Sequence, residues 1–412
     1  MAAWAPSRAP SITYAADPLP PWGSDQTMHS QFTDRRKHAL DTAAVIARTT
    51  IASHADQVDK DAVFPEASIS ALTQTGLFKA ALPEHLGGLG LDTPAMAEIG
   101  RTLGRACGST AMIWAMHQVQ VACVARHLGP EGGSAAKLLA SIVGGGGLVA
   151  SVTTELGVGG NLRESRASCV VRGDRVRLTK DAPTVSYALM ADAFLITARR
   201  NPGAAPGDQV LVLATKDQTE LQNVGEWNVM GMRGTRSPGC RIVVDVAADQ
   251  VITTPFAEVA ARTMVPLSHI LWSSVWIGIA EEAADRAIRR LRHTRRNGKQ
   301  DAGADARLAF IGERLDALDG LLRLVMHNYE TEAGQPTTDL SIQVNNLKLA
   351  ASTETVKIAE TALEICGMPG YQEHSESSVA RMLRDLYSAR LMISNSRLLE
   401  TNSTAMLMRR YG

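Results

Sequence analysis

The sequence predicts an α+β fold in three consecutive parts: helical, then β, then helical again. Two changes of hydrophobic period carry the prediction. Up to residue 147 apolar residues recur at helical spacing. From 148 to 254 short β-branched runs alternate with turn dipeptides, and from 255 the helical period returns. Composition agrees. Alanine is abundant and aromatics make up only 4% of the chain, which favours long, closely packed helices.

Residues 1–33 read as a disordered or draped extension, because the first thirty hold five prolines and no amphipathic period. They lack the charged start and apolar core of a signal peptide. Residues 34–147 form an N-terminal helical domain. Within it helices are expected over 34–52, after Phe64-Pro65, and over 93–103 and 109–127, with one more before Gly144. Gly76 ends the second, and the fourth is apolar nearly all round, so it should be buried. The glycine-rich loop Leu82–Gly90 has no preceding strand, so it is no dinucleotide fingerprint.

Residues 148–254 form a middle β domain, a small barrel or sandwich. Its strands are expected at 149–155, 168–171, 175–179, 193–198, 209–214, 241–246 and 251–252, with a loop over 227–239. Residues 255–412 form a C-terminal four-helix bundle, with helices over 267–292, 307–332, 340–366 and 379–408. The stretch Gly367-Met-Pro-Gly-Tyr371 is a glycine turn between the last two, suited to sharp backbone geometry or to the approach of a planar ligand.

Charge excludes several functions. Forty-two basic and 42 acidic residues balance, which argues against a nucleic-acid binder or a membrane-surface protein. No apolar run is expected to span a bilayer. The five cysteines show no CxxC and no zinc spacing, so no metal site is expected. Free thiols fit a reducing, cytoplasmic setting.

Three segments carry a resemblance, in order and at the right separation. They are Thr153-Thr-Glu-Leu-Gly-Val-Gly-Gly160, Trp227-Asn-Val-Met-Gly-Met-Arg-Gly-Thr-Arg-Ser237, and the run from Gly367 to Arg384-Asp385. Gly278 within a long helix and Asn346-Leu-Lys348 add to them. Together they resemble the acyl-CoA dehydrogenase superfamily. The resemblance implies that FAD, or FMN as the alternative, binds between the β domain and the bundle of a homodimer or homotetramer. The cofactor-binding residues it implies are Thr153, Thr154, Gly159, Gly160, Ser186, Gly367 and Gly370. Arg295 and Arg296 would stand in for a degraded pyrophosphate-binding motif, because guanidinium pairs phosphate bidentately.

The same resemblance places a general base where this chain has none. A dehydrogenase takes the α-proton of an acyl thioester with a carboxylate of raised pKa. The two positions known for it fall on Ile393 and Ser268, and Glu400 lies more than a helical pitch beyond the first. His117, His269 and Asn395 are the candidate catalytic residues. His117 is expected to face the flavin and move protons, His269 to flank the substrate cavity, and Asn395 to orient a substrate carbonyl.

Three functions are therefore expected to compete. One is oxidation of an acyl thioester, carried by CoA or a carrier protein, or of a related small molecule. Another is monooxygenase or oxidase chemistry through a flavin C4a-peroxide. The third is a fold kept for binding or assembly without turnover.

Overall fold

The computed structural model describes residues 26–128, 133–159, 161–298, 303–332, 335–407 and 409. The architecture is a helical domain, two central β-sheets and a C-terminal helical bundle. Residues 1–25 of the expected extension, and Gly160, lie outside the described residues. The remainder of that extension is helical, since α1 (Gln26–Ile46) begins at Gln26.

α1 continues through a wide turn, Ala47–Ile51, into α2 (Ala52–Asp61). The Thr49 and Ser53 hydroxyls donate to carbonyls one turn back, at 2.9 and 3.0 Å, which loosens the helical ladder there. α3 (Glu66–Gln74) leads to α4 (Thr93–Ala106), whose start is fixed by Asp92 accepting from Ala95 N–H at 2.8 Å. α5 (Gly108–Arg126) is buried along nearly its whole length, and α6 (Gly133–Gly144) closes the domain.

One sheet has the order β1 (Val149–Val152), β4 (Ala193–Arg199), β5 (Gln209–Thr215), β8 (Val251–Ile252). β1 is parallel to β4, with Val149 opposite Ala193. β4 and β5 are buried on both faces, so they read as unbroken apolar runs. The other sheet has the order β2 (Val170–Arg172), β3 (Arg175–Ala182), β7 (Cys240–Ala247), β6 (Thr219–Gln222), all antiparallel. In β3 only alternate residues are buried, so that sheet faces water on one side. β6 is too short and polar to stand out in the sequence.

The short helix α7 (Phe256–Val259) runs through a wide turn into α8 (Val265–Arg296), followed by α9 (Ala304–Thr331), α10 (Thr338–Cys366) and α11 (Met368–Tyr371). The segment 256–296 does contain a window apolar enough to cross a membrane, at mean hydropathy 1.3, which corrects the expectation of none. That window is 89% buried inside the fold, so α8 is the core helix of the bundle. It crosses α4 so closely that a Cβ on Gly278 would collide with the Arg101 carbonyl. Arg101 ties the crossing by pairing with Glu281 and with Asp319 at 2.7 Å.

The last expected helix, 379–408, is broken. α12 (Ala380–Tyr387) passes through a tight turn, Ser388–Arg390, then a non-helical segment at 391–394, before α13 (Asn395–Met406). Ile393 there has φ +55°. At this break the Ile393 carbonyl accepts from Lys348 Nζ of α10 at 2.6 Å, a contact that hydrophobic period cannot reveal.

Candidate active site

Three loops from separate parts of the β domain meet in one wall. The first follows β1 at Thr153–Thr154, the second spans 184–187, and the third spans 232–237. Thr154 Oγ1 donates to the Thr184 carbonyl at 2.8 Å. Ser237 Oγ donates to Ser186 Oγ at 3.0 Å and lies 2.9 Å from Thr235 Oγ1. Backbone bonds from Tyr187 N to Thr235 O and from Val185 N to Pro238 O seal the seam.

The chemistry of this hydroxyl row is specific. Thr154 directs its proton at Thr184, so it offers a ligand an acceptor. Ser186 receives a proton from Ser237, so its own O–H is free to donate. A donor beside an acceptor matches the alternating carbonyl and imide N–H edge of a flavin.

Buried carboxylates hold the wall from behind. Glu155 accepts from Ser165 Oγ at 2.7 Å and from the backbone N–H of Arg166 and Ala167 at 3.0 and 2.7 Å. Lys180 Nζ lies 3.7 Å from it and donates to Thr197 O and Oγ1 at 2.8 and 2.6 Å. Burial pushes the Lys180 amine down to about 8, against the pull of Glu155. Asp385 accepts from Met232 N–H at 2.5 Å. Burial raises its carboxyl to about 6 although Arg381 opposes the shift. Gly231 packs so tightly on α12 that a Cβ would strike the Arg384 carbonyl. The Arg384-Asp385 pair is thus a clamp on the 227–239 loop, a role that its spacing alone does not reveal.

The three expected catalytic residues fare differently. His117 is fully buried, and both its nitrogens are engaged by backbone. Nδ1 accepts from Val149 N–H at 3.0 Å, so Nε2 carries the proton and donates to Phe78 O at 3.0 Å. Burial pushes it down to about 4. With no nitrogen left over, it is a strut joining the helical domain to β1 rather than a proton carrier. Trp114 and Gln118 reinforce the same loop through Leu77 O, at 2.9 and 3.3 Å.

Asn395 is also engaged. Its Oδ1 accepts from Lys348 Nζ at 2.6 Å, and its Nδ2 donates to Ser352 Oγ at 3.1 Å. Its oxygen and one of its two amide hydrogens are thus committed to α10. His269 differs. Nδ1 faces Val344 O at 3.3 Å, while Nε2 is buried with no protein partner. Burial, then the Lys348 charge, push it down to about 3, so it stays neutral with a free lone pair. The indole N–H groups of Trp272 and Trp276, on the same face of α8, are likewise unpartnered among the described residues.

The remaining expected cofactor residues are dispersed. Arg295 and Arg296 are exposed at the C-terminal end of α8, where cations suit the helix dipole. Arg295 pairs with Asp305. Gly367 has φ +62° and ends α10, and a Cβ on Gly370 would strike the Cys366 side chain. Met368 and Tyr371 project from this turn at 66% and 68% exposure. Gly159 lies beside the Arg397 side chain of α13, whose guanidinium would be 3.7 Å from a Cβ there. The 391–397 segment thus adjoins the loop after β1. All five cysteines are buried and free.

Two sequence profiles match this chain: the acyl-CoA dehydrogenase N-terminal domain over residues 33–143 and its C-terminal domain over 257–392. Together they cover more than half of it. The chain belongs to the acyl-CoA dehydrogenase family. It is a flavoprotein oxidoreductase of that family.

It is 23% identical to cyclohex-1-ene-1-carbonyl-CoA dehydrogenase of Geobacter metallireducens, over 86% of this chain and 92% of that one. Among solved structures, butyryl-CoA dehydrogenase from Megasphaera elsdenii superposes with TM-score 0.78 at 19% identity, covering 91% of this chain and 98% of that one. Dibenzothiophene monooxygenase TdsC from Paenibacillus sp. A11-2 superposes with TM-score 0.76 at 20% identity and the same coverages. TdsC has also been solved bound to FMN. The acyl-CoA dehydrogenase fold is therefore shared by relatives named for two different chemistries.

Proposed function

We propose that this acyl-CoA dehydrogenase family member is a flavin-dependent monooxygenase or oxidase rather than a desaturase of acyl thioesters. One observation carries the reading: the two positions at which the resemblance expects a carboxylate base are Ile393 and Ser268. Glu155 and Asp385, the buried carboxylates beside the wall, both accept backbone N–H groups that hold the loops: Arg166 and Ala167 for Glu155, Met232 for Asp385. Glu400 is exposed on α13. Removal of an α-proton needs a positioned base; oxygen activation does not.

Thr154 and Ser186 would meet the pyrimidine edge of FAD or FMN, which supplies the electron-transfer centre when bound. The exposed Met368 and Tyr371 suit a subunit contact at the glycine turn, as in a homodimer or homotetramer. His269 Nε2, neutral and unengaged, is the atom of the three candidates able to accept a hydrogen bond from a small-molecule substrate. A second reading, oxidation of an acyl thioester, is favoured by the similarity to cyclohex-1-ene-1-carbonyl-CoA dehydrogenase.

Rapid mixing of the anaerobically reduced holoprotein with oxygen tests the choice. A transient absorbing species before full reoxidation is expected. Direct slow reoxidation, together with anaerobic bleaching of the flavin by an acyl-CoA, would overturn the reading in favour of dehydrogenation.

A further inference from the structure

Lys348 is completely buried in α10 and has no carboxylate partner among the described residues. Isolated buried ammonium groups are costly unless their donors are satisfied. Two of its three donors go to one short segment. Nζ donates to the Ile393 carbonyl and to Asn395 Oδ1, each at 2.6 Å, and lies 6.0 Å from the centre of the Trp276 ring. Ser352, one turn further along α10, receives the Asn395 amide at 3.1 Å.

The segment so held is strained. Ile393 sits at φ +55°, where a β-branched side chain crowds its own backbone. Other residues at positive φ in this chain include Ala62, Asn223 and Met232, and none of them is β-branched. Such a conformation persists only where the surroundings over-determine it. Here the surroundings include a buried cation that donates to the Ile393 carbonyl at 2.6 Å. The same cation fixes the side chain that opens α13.

We propose that Lys348 is the positioning residue of the site, holding Ile393 left-handed and so fixing the 391–397 segment against the loop after β1. This rests on the reading that the segment borders the flavin site. Arg397, on the first turn of α13, reaches Gly159 and supplies that adjacency. Lys348 acts through the turn that it holds.

The test compares Lys348→Met, Ile393→Gly and the double variant, each as flavin-loaded protein, by amide exchange and by the rate at which the reduced flavin is reoxidised by oxygen. In Lys348→Met, exchange within 391–397 should accelerate about tenfold or more while β4 and the middle of α8 are unchanged. Reoxidation should change in parallel at unaltered flavin content. Glycine at 393 tolerates positive φ, so the double variant should regain protection to within about threefold of wild type. Lys348→Arg, which keeps a charged donor, should fall between the two.

Unchanged exchange in Lys348→Met, or a double variant as open as the single, would overturn the proposal. Faster exchange with unchanged reoxidation would reduce Lys348 to a purely structural contact, which also overturns it. If Lys348→Met does not fold, Ile393→Gly alone decides: relief of strain should slow exchange in the turn, and equal or faster exchange refutes the pin. A wild-type protein unreactive with oxygen would remove the proposed function yet leave the exchange result standing.

Discussion

His117→Leu separates a strut from a proton carrier. The substitution roughly keeps the volume but removes both ring nitrogens. Phe78 O retains a second donor in Gln118 Nε2, at 3.2 Å, so the chief loss is the partner of Val149 N–H. An orphaned buried donor costs about 1–3 kcal/mol. Loss of the edge-on contact with Phe78, now at 5.0 Å between ring centres, adds about 1 kcal/mol. The variant should therefore be about 3 kcal/mol less stable at neutral pH.

The pH dependence makes that figure diagnostic. Folding lowers His117 from 6.5 to about 4. The unfolded chain then binds a proton that the folded chain does not, so this group's contribution is present above pH 6.5 and is lost as pH falls toward 4. Between neutrality and about pH 4.5 the wild type should lose about 2–3 kcal/mol through this group. The leucine variant loses none of it. Acid losses through His269 occur in both proteins and cancel in the difference.

Urea unfolding of both proteins at the two pH values is the assay. The gap should shrink from about 3 to under 1 kcal/mol on acidification. A gap independent of pH would refute the buried neutral strut. So would a collapse of turnover in a variant that still folds and binds flavin, because that outcome would restore His117 as a proton carrier.

Other outcomes follow from the same geometry. Glu155→Ala should cost about 3–5 kcal/mol, because it strands the Lys180 ammonium and two backbone N–H groups in the interior; a midpoint near wild type in urea would contradict the buried clamp. Gly278→Ala should destabilise by about 1–3 kcal/mol, read as a lower thermal midpoint, since its methyl meets the backbone of α4. Arg295→Ala should leave stability within about 0.5 kcal/mol and flavin content unchanged, as expected for an exposed pair with Asp305. Loss of flavin in that variant would reinstate Arg295 as a phosphate ligand.

The α+β class was legible because it depends on period. Helical spacing, short β-branched runs and the glycine turn at 367 are local patterns, and local patterns survive in one dimension. The three loop motifs were legible for a similar reason: hydroxyls and glycines at those spacings suit backbone that must run close to a ligand. What the tertiary structure decided was which side chains remain free. His117 and Asn395 carry suitable chemistry, yet each is engaged by groups 32 to 47 residues away: Phe78 and Val149 for one, Lys348 and Ser352 for the other.

The break at Ile393 was hidden for the same reason. Nothing in Leu391-Met-Ile-Ser394 forbids a helix; a lysine 45 residues earlier, donating to one carbonyl, fixes the left-handed turn. Sequence by itself determined the kinds of residue available and the elements that carry them. Hydrogen-bond saturation is a property of the packed interior, where each buried donor and acceptor must find a partner, and only the fold determines which one it finds.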